Sequence, residues 1–398
     1  MTGVAAARLP KHPTTPGAAA VSRLTLTAFR NLDSVRLEFD ARPVVITGPN
    51  GAGKTNLLEA VSFLAPGRGL RGAALSAVGR RRQGQGAPWA VAATVDLPDG
   101  RVELGTGLDT ASDAGSSSKR IVHVGGVRHR GQAVLARHLG VVWLTPAMDR
   151  IFLDGPSARR RFVDRLTMAF DPEHVGRTTA YERALRQRSR LIRDGIADAA
   201  WFAALEDTLA RYGAAVAASR RQMIDRLNAV LAASGGGAFP SARLGLIGDV
   251  DSWLETEPSL VVEDRLRAKL ADSRRQPGGV EPGPHRSDLA VQFVVAGHRS
   301  HGRAAAECST GEQKALLIAI VLAHARLLAV KRGHAPLLLL DEVAAHLDPD
   351  RRAGLFEAIL ELGAQAWLTG TDQVLFDQIA PSAQALTFEN GVPILRKN

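Results

Sequence analysis

A chain of 398 residues that is 45% hydrophobic and 23% charged is long enough for two or three domains with a sizeable core, and its composition is that of a soluble globular protein. The formal net charge of +10 rests mainly on arginine, whose planar guanidinium suits phosphate and nucleic-acid contacts, although an arginine-rich base composition gives the same excess. The single cysteine, Cys308, excludes an internal disulfide framework and fits a reducing cytosol.

Residues 1–20 are rich in Ala, Pro and Thr and lack the apolar core of a secretory signal, so they read as a mobile tail. Leu24 to Leu32 and then Val35 to Phe39 alternate apolar and polar, which predicts two strands around a short turn. The apolar run Pro43–Ile46 predicts a strand ending at Thr47. Directly after it comes Gly48-Pro49-Asn50-Gly51-Ala52-Gly53-Lys54-Thr55, and then a helix from Asn56 to Leu64. This strand, glycine loop and helix form a P-loop. The glycines let backbone N–H groups turn toward phosphate oxygens, Lys54 can reach the β- and γ-phosphates, and the Thr55 hydroxyl can hold Mg²⁺. The following helix points its positive end at the same phosphates. A nucleoside triphosphate, ATP, is the expected ligand.

Between residues 89 and 144, Trp89–Val95, Arg101–Gly105, Arg120–Val124 and Val141–Leu144 read as strands separated by turns such as Asp109–Ser118. They predict an antiparallel lobe attached to the nucleotide-binding sheet. From Ser157 to about Ala271 helix formers with charged faces dominate. Tyr181–Leu191, studded with Arg183, Arg186, Arg188 and Arg190, and Trp201–Leu231 are amphipathic patterns, interrupted by Gly235–Pro240 and Leu244–Val250. No internal repeat or sustained heptad is visible. Gln276–Pro284 is rich in Pro and Gly and reads as a linker, after which Ala290–Val295, Pro336–Leu340 and Ala366–Thr369 predict strands with helices between them. The longest apolar stretch, Ala315–Val330, is broken by His324 and Arg326; it reads as a buried helix rather than a membrane span, and a cytoplasmic protein with no membrane partner is expected. The expected segments are a tail at 1–20, the first part of a nucleotide-binding head at 21–156, a helical insertion at 157–276, and the second part of the head at 277–398.

The second half supplies the rest of an ATP site. Leu337-Leu-Leu-Leu-Asp341-Glu342 is an apolar strand ending in two carboxylates, a Walker B element. Asp341 would take Mg²⁺, and Glu342 would polarise the attacking water, so Asp341, Glu342 and Lys54 are the candidate catalytic residues. Cys308-Ser309-Thr310-Gly311-Glu312-Gln313-Lys314 opens a helix and resembles the ABC signature loop, where Ser309 and Gly311 would bind the γ-phosphate of ATP held by another subunit; Ser309 or Thr310 as an ordinary helix cap explains the same residues. Ala345-His-Leu-Asp348-Pro looks like a D-loop. At the place of the switch histidine stands Leu368-Thr-Gly-Thr371-Asp, with Thr371 the nearest candidate, and Thr145-Pro146 holds the position of the Q-loop without its Gln. P-loop, long insertion, then signature, Walker B and D-loop within about the last 100 residues is the order of an ABC-type head of the SMC kind, an α/β fold with an antiparallel β lobe and an inserted helical domain.

Several longer motifs add a closer resemblance. They are Phe29-Arg-Asn-Leu, Asn50-Gly-Ala-Gly-Lys-Thr-Asn-Leu-Leu-Glu-Ala, Gly155-Pro-Ser-Ala-Arg-Arg-Arg-Phe-Val-Asp, Gly283-Pro-His-Arg-Ser-Asp-Leu, Ser309-Thr-Gly-Glu-Gln-Lys and Asp341-Glu-Val-Ala-Ala-His-Leu-Asp. On these the chain resembles the RecF family of bacterial recombination-repair proteins over residues 21–398. Thr145-Pro-Ala-Met-Asp departs from that family's Pro-Glu-Asp-Leu-like pattern. The resemblance implies an ATP-dependent DNA-binding protein at gapped or stalled replication intermediates. It implies work with RecR and RecO to load RecA, in support of DNA replication, repair and the SOS response. It further implies weak, slow ATP hydrolysis that serves as a switch. ATP would join two copies face to face, and the closed pair would clamp duplex or gapped DNA through its phosphates. Arg159, Arg160 and Arg161 are the first candidates for DNA contact, followed by Arg71, then Arg68, Arg80, Arg81 and Arg82; a solvated face or an internal ion pair suits each cluster equally. His285 and Arg286 carry no assignable role. A transport cassette would keep its signature closer to the P-loop, and a nuclease-associated head would need an acidic metal domain after Glu342.

Overall fold

The computed structural model describes residues 18–82, 85–108, 119–233, 237–275, 281–294 and 302–396, with backbone alone at Arg81, Arg82, Gln85, Gly86 and Arg275. The expected turn Asp109–Ser118, most of the expected tail, residues 276–280 of the expected linker and the side chains of Arg81 and Arg82 lie outside the described residues. The chain divides into two compact units. One takes the chain up to Met148, Gly237–Phe239 and Val321 onward; the other takes Asp149–Gly236 and Pro240–Ile320. This division runs by spatial contact and not by chain order, so it differs from cuts at 157 and 276: the segment carrying Ser309 and Gly311 groups with the helices.

The first unit begins with β1 (Ala20–Phe29), β2 (Leu32–Glu38) and β3 (Val44–Thr47), followed by α1 (Lys54–Ser62). The short β4 (Arg81–Arg82) and β5 (Gln85–Gly86) precede β6 (Ala90–Leu97), β7 (Gly100–Leu108), β8 (Arg120–Val124) and β9 (Val127–His129); α2 (Leu135–His138) and β10 (Val141–Leu144) close this stretch. Ala19 and Ala20 are buried and Ala20 already pairs with Asp96, so the expected tail ends before residue 20. Six strands in the order β2-β1-β6-β7-β8-β9 form the antiparallel lobe, and from Val35 onward β2 alternates between a core face and an open face, with Val35 and Leu37 inward and Arg36 and Glu38 exposed.

The second unit holds α3 (Pro156–Phe170), α4 (His174–Arg193), α5 (Ala199–Ala233), β11 (Ser241–Ile247), α6 (Asp249–Thr256), α7 (Ser259–Arg275), β12 (Asp288–Val294) and β13 (Arg303–Ala304). α8 (Thr310–Arg332) runs along the chain from this unit into the first, which then adds β14 (Leu337–Leu340), α9 (Pro349–Leu362), β15 (Ala366–Gly370), β16 (Gln384–Glu389) and β17 (Val392–Arg396). α8 is long and apolar enough to cross a membrane by composition alone, but 78% of its apolar window is buried within the protein, as a core helix requires.

Two expectations are corrected here. Val141–Leu144 was expected in the antiparallel lobe, yet β10 pairs in parallel with β14, Leu144 beside Leu340; a run of four buried apolar residues is the pattern of a strand covered on both faces. Leu244–Val250 interrupts the helices as expected, most of it in β11, whereas Ala290–Val295, described as far as Val294, was expected in the nucleotide sheet. Instead β12 pairs with β11 on one side and β13 on the other in a small sheet of the helical unit.

The nucleotide sheet has the order β10-β14-β15-β3-β16-β17, with the first five strands parallel and β17 antiparallel to β16. β3, β10, β14 and β15 are buried along their whole length, which at about 1.5–3 kcal/mol per fully buried aliphatic side chain makes this sheet the main core of its unit. Gln365 fastens the lobe to it: its Oε1 accepts from Val21 N (2.9 Å), and its Nε2 donates to Asp40 O (2.7 Å). The parallel strands all end on one edge, where a doubly covered α/β sheet places its ligand.

Candidate functional site

That edge gathers the sequence-predicted ATP residues of the first unit. β3 runs into Gly48–Gly53, β14 into Asp341-Glu342, β15 into Thr371, and β10 into Thr145-Pro146. Asp341 N donates to Leu144 O (2.9 Å), so the turn at Thr145 lies beside the acidic pair. Gly48, Gly51 and Gly53 have φ of 151°, 80° and 117°. The case is strictest at Gly53, which caps α1: a Cβ there would stand 2.9 Å from Asn31 Nδ2, besides requiring a left-handed backbone. Asn31 Nδ2 donates to Ala52 O (3.2 Å) and Asn56 Nδ2 donates to Asn31 Oδ1 (2.6 Å), so side chains from either side of the loop hold its shape.

Lys54 is buried, and its Nζ donates to the carbonyls of Gly48 (2.7 Å) and Pro49 (3.0 Å). Burial lowers its pKa, while Glu342 and Asp341 pull the other way. Thr55 Oγ1 donates to Asp341 Oδ1 (3.0 Å), and Thr369 Oγ1 donates to the same oxygen (2.7 Å). Thr369 Oγ1 in turn accepts from Glu342 N (2.9 Å). Burial raises the Asp341 carboxyl above the usual range; the hydroxyls of Thr369 and Thr55 draw it down, Glu342 raises it and Arg71 lowers it. Glu342 sits at φ 51°, a left-handed conformation that costs a non-glycine residue about 1–3 kcal/mol and recurs at functional sites.

Thr371, expected nearest to the switch position, is exposed at the strand end. The residue that touches the acidic pair is Thr369, fully buried and two residues earlier. Sequence reasoning missed it because it lies inside an apolar strand and carries no motif. Asp348 caps α9, its Oδ1 accepting from Arg351 N (2.8 Å). In the helical unit, Ser309 and Glu312 form a capping box at the start of α8: Ser309 N donates to Glu312 Oε2 (2.8 Å) and Glu312 N to Ser309 Oγ (3.3 Å). Arg303 Nη2 donates to Glu312 Oε1 (2.6 Å), and these contacts hold the Glu312 carboxyl below its ordinary pKa. Gly311 follows in the first turn of the same helix.

The arginine candidates separate. Arg71 Nη1 donates to Asn56 Oδ1 (2.6 Å) and to Glu59 Oε2 (2.8 Å), and fully buried Glu59 also receives both ends of Arg30. Arg159 forks onto Asp288 (2.7 and 2.8 Å), and Arg160 Nη1 donates to Ser287 O (2.8 Å), whereas Arg161 is exposed. The motif at Gly155–Asp164 therefore grips the motif at Gly283–Leu289. Asp164 completes the grip through Arg220, which forks onto it (2.7 and 2.8 Å) and also donates to Pro284 O (2.6 Å). The second half of the expected linker Gln276–Pro284 is thus packed structure: Glu281 pairs with buried Arg188. His285, unassigned from sequence, shares a hydrogen bond between its Nδ1 and the Tyr181 hydroxyl (2.6 Å), and burial followed by Arg286, Arg160 and Arg220 lowers its pKa to about 4. Arg286 Nε donates to Glu281 O (2.7 Å).

The family model for the RecF/RecN/SMC N-terminal domain matches residues 20–392. A DNA replication and repair protein RecF from Mesorhizobium japonicum is 46% identical over 380 residues, covering 94% of this chain and 98% of the relative. A second, from Rhizobium meliloti, is 47% identical over 378 residues, covering 93% and 97%. Among solved structures, a recombination mediator protein RecF-ATPrS of the RecFOR pathway superposes with a TM-score of 0.81 at 20% identity, over 96% of this chain and 99% of the other. An SMC head domain from Pyrococcus furiosus gives 0.52 at 16% identity, over 95% and 96%. The fold is that of an SMC-like ABC ATPase head, and the chain belongs to the RecF family of DNA replication and repair proteins.

Proposed function

We propose that this chain is an ATP-switched DNA clamp of recombinational repair. The observation that carries the reading is Asp341 Oδ1, which receives the hydroxyls of Thr55 and Thr369 at the end of the sheet where the P-loop opens. Thr55 Oγ1 and Asp341 Oδ1 are hard oxygen donors 3.0 Å apart, a pair that fits Mg²⁺ with its retained waters. When bound, the ion neutralises charge on the β- and γ-phosphate oxygens of ATP. The N–H groups of Gly51, Gly53, Lys54 and Thr55 cradle the phosphates, with Pro49, Asn50 and Ala52 setting the loop around them. Lys54 Nζ exchanges the Gly48 and Pro49 carbonyls for phosphate oxygens, and its buried ammonium loses little further hydration on doing so. Glu342 orients the attacking water and accepts its proton, at a backbone position that Thr369 pins.

Ser309, Gly311 and Asp348 would complete the site in a second copy, so that ATP joins two chains and its hydrolysis releases them. The relatives named for DNA replication and repair support DNA as the substrate, and the RecFOR pathway named for a structural neighbour supports RecR and RecO as partners; on this reading the assembly would act at gapped or stalled intermediates, help load RecA and serve the SOS response. The cytoplasm is the matching location. Sizing of the purified chain with Mg²⁺-ATP and a gapped duplex tests the reading. The wild type shifts from monomer to dimer and Lys54→Ala does not. A Lys54→Ala chain that still dimerises on ATP addition would show that the cross-subunit site is wrong.

A further inference from the structure

α4 buries Tyr181, Ala184, Arg188 and Leu191. At about 100° per residue these four lie on one side of the helix, and Arg183, Arg186, Arg190 and Arg193 gather within an arc of about 80° on the opposite side. All four are exposed. At about 1.5 Å of rise per residue the row is about 15 Å long. Arg186 lies 3.4 Å from Glu182 and Arg193 lies 3.8 Å from Asp194, and both acids are themselves exposed; pairs of that kind are worth about 0–1 kcal/mol and leave the arginines available. Among the described residues no carboxylate comes within 4.0 Å of Arg183 or Arg190.

Several arginines elsewhere in this unit are spoken for, although Arg161 and Arg243 are exposed singly and form no row. Arg159, Arg160, Arg188 and Arg220 are tied into its interior, and Arg267 meets three carboxylates. Like charges three and four residues apart on a helix cost a few tenths of a kcal/mol each, and packing gains nothing from this face. The missing complement is an anion that is regular along the row. The face also presents Gly176, Thr179 and Gln187, and Val175, which shares its direction at the N-terminal end, is half-buried, so it offers no exposed apolar stripe for a lipid surface to receive. A duplex carries one strand phosphate per about 3.4 Å of axis, so the row matches about four of them.

We propose that the arginine face of α4, and not the Arg159–Arg160 pair, holds the phosphate backbone of duplex DNA. The inference rests on the reading of this chain as a DNA-binding protein and adds where the backbone lies. The test is DNA affinity across a range of sodium chloride concentrations with Mg²⁺-ATP, for the wild type, Arg183→Gln/Arg190→Gln and Arg183→Lys/Arg190→Lys. The glutamine variant should lose about 2 from the salt slope and about tenfold or more in affinity at low salt. The lysine variant should keep both to within about twofold, because Lys also serves as a point charge for phosphate. ATP affinity and the unfolding midpoint stay unchanged in all three. A glutamine variant with the wild-type slope overturns the assignment and gives the face to an acidic protein partner. A wild-type chain whose DNA binding ignores salt overturns the DNA reading itself.

Discussion

Thr369 carries two of the contacts on which the acidic end of β14 depends, donating to Asp341 and accepting from the Glu342 backbone. Thr369→Val preserves shape and removes both. Asp341 Oδ1 keeps the Thr55 hydroxyl, but the part-buried Glu342 N–H is left without its partner, at about 1–3 kcal/mol. The expected outcome is a loss of about 1–3 kcal/mol in urea unfolding and an ATPase rate lowered at least tenfold while ATP affinity changes by less than about threefold, because Lys54 and the P-loop are untouched. An unchanged rate would mean that Glu342 holds its position without Thr369. The difference in legibility between these residues is physical. Gly48–Thr55 and Asp341-Glu342 were visible because phosphate chemistry demands those residue types at fixed spacing. Thr369 was not, because a hydroxyl facing a carboxylate from inside a strand needs only one small polar residue, and Ala366-Trp-Leu-Thr-Gly looks like any buried strand.

At the scale of elements, two distant motifs turn out to be the halves of one clamp. α3 contributes Arg159, Arg160 and Asp164, and the segment entering β12 contributes Pro284, Ser287 and Asp288. Their spacing of more than a hundred residues hid the pairing, since no periodicity reports which helix a loop will meet. The same limit misplaced β10 and β12: each was recognised as a strand, but its sheet was decided by partners far away in sequence. His285 lies between Pro284 and Ser287 in the same segment, hydrogen-bonded to Tyr181, and gives it a pH dependence. Its ordinary pKa of 6.5 falls to about 4 in the folded chain, so the unfolded chain binds the proton more readily. Its contribution is therefore fully present above pH 6.5 and is lost as pH falls toward 4, by at most about 3 kcal/mol. His285→Gln should flatten the decline of urea-unfolding free energy across that window relative to wild type. Parallel declines would show that protonation of His285 is not what acid acts on.

For the whole molecule, chain organisation and chemistry give one consequence. The P-loop and the acidic pair belong to one compact unit, whereas Ser309 and Gly311 belong to the other. If ATP bridges two copies through those groups, the lifetime of the pair is set by whichever is faster, hydrolysis or spontaneous separation. Glu342→Gln removes the proton acceptor while keeping volume and the backbone N–H that Thr369 receives. The variant should therefore bind ATP and pair as well as the wild type, and then fail to reset. Mixing two fluorescently labelled pools in Mg²⁺-ATP, and chasing with unlabelled chain, reads the exchange directly. The wild type exchanges at its turnover rate, and Glu342→Gln exchanges at least tenfold more slowly, with its labelled pairs persisting on gapped DNA. Raising the salt should shorten the DNA-bound lifetime of both, since the net charge of +10 favours the anionic partner, but leave the ratio between them intact. Exchange by Glu342→Gln as fast as wild type would separate hydrolysis from release and remove Glu342 from the switch.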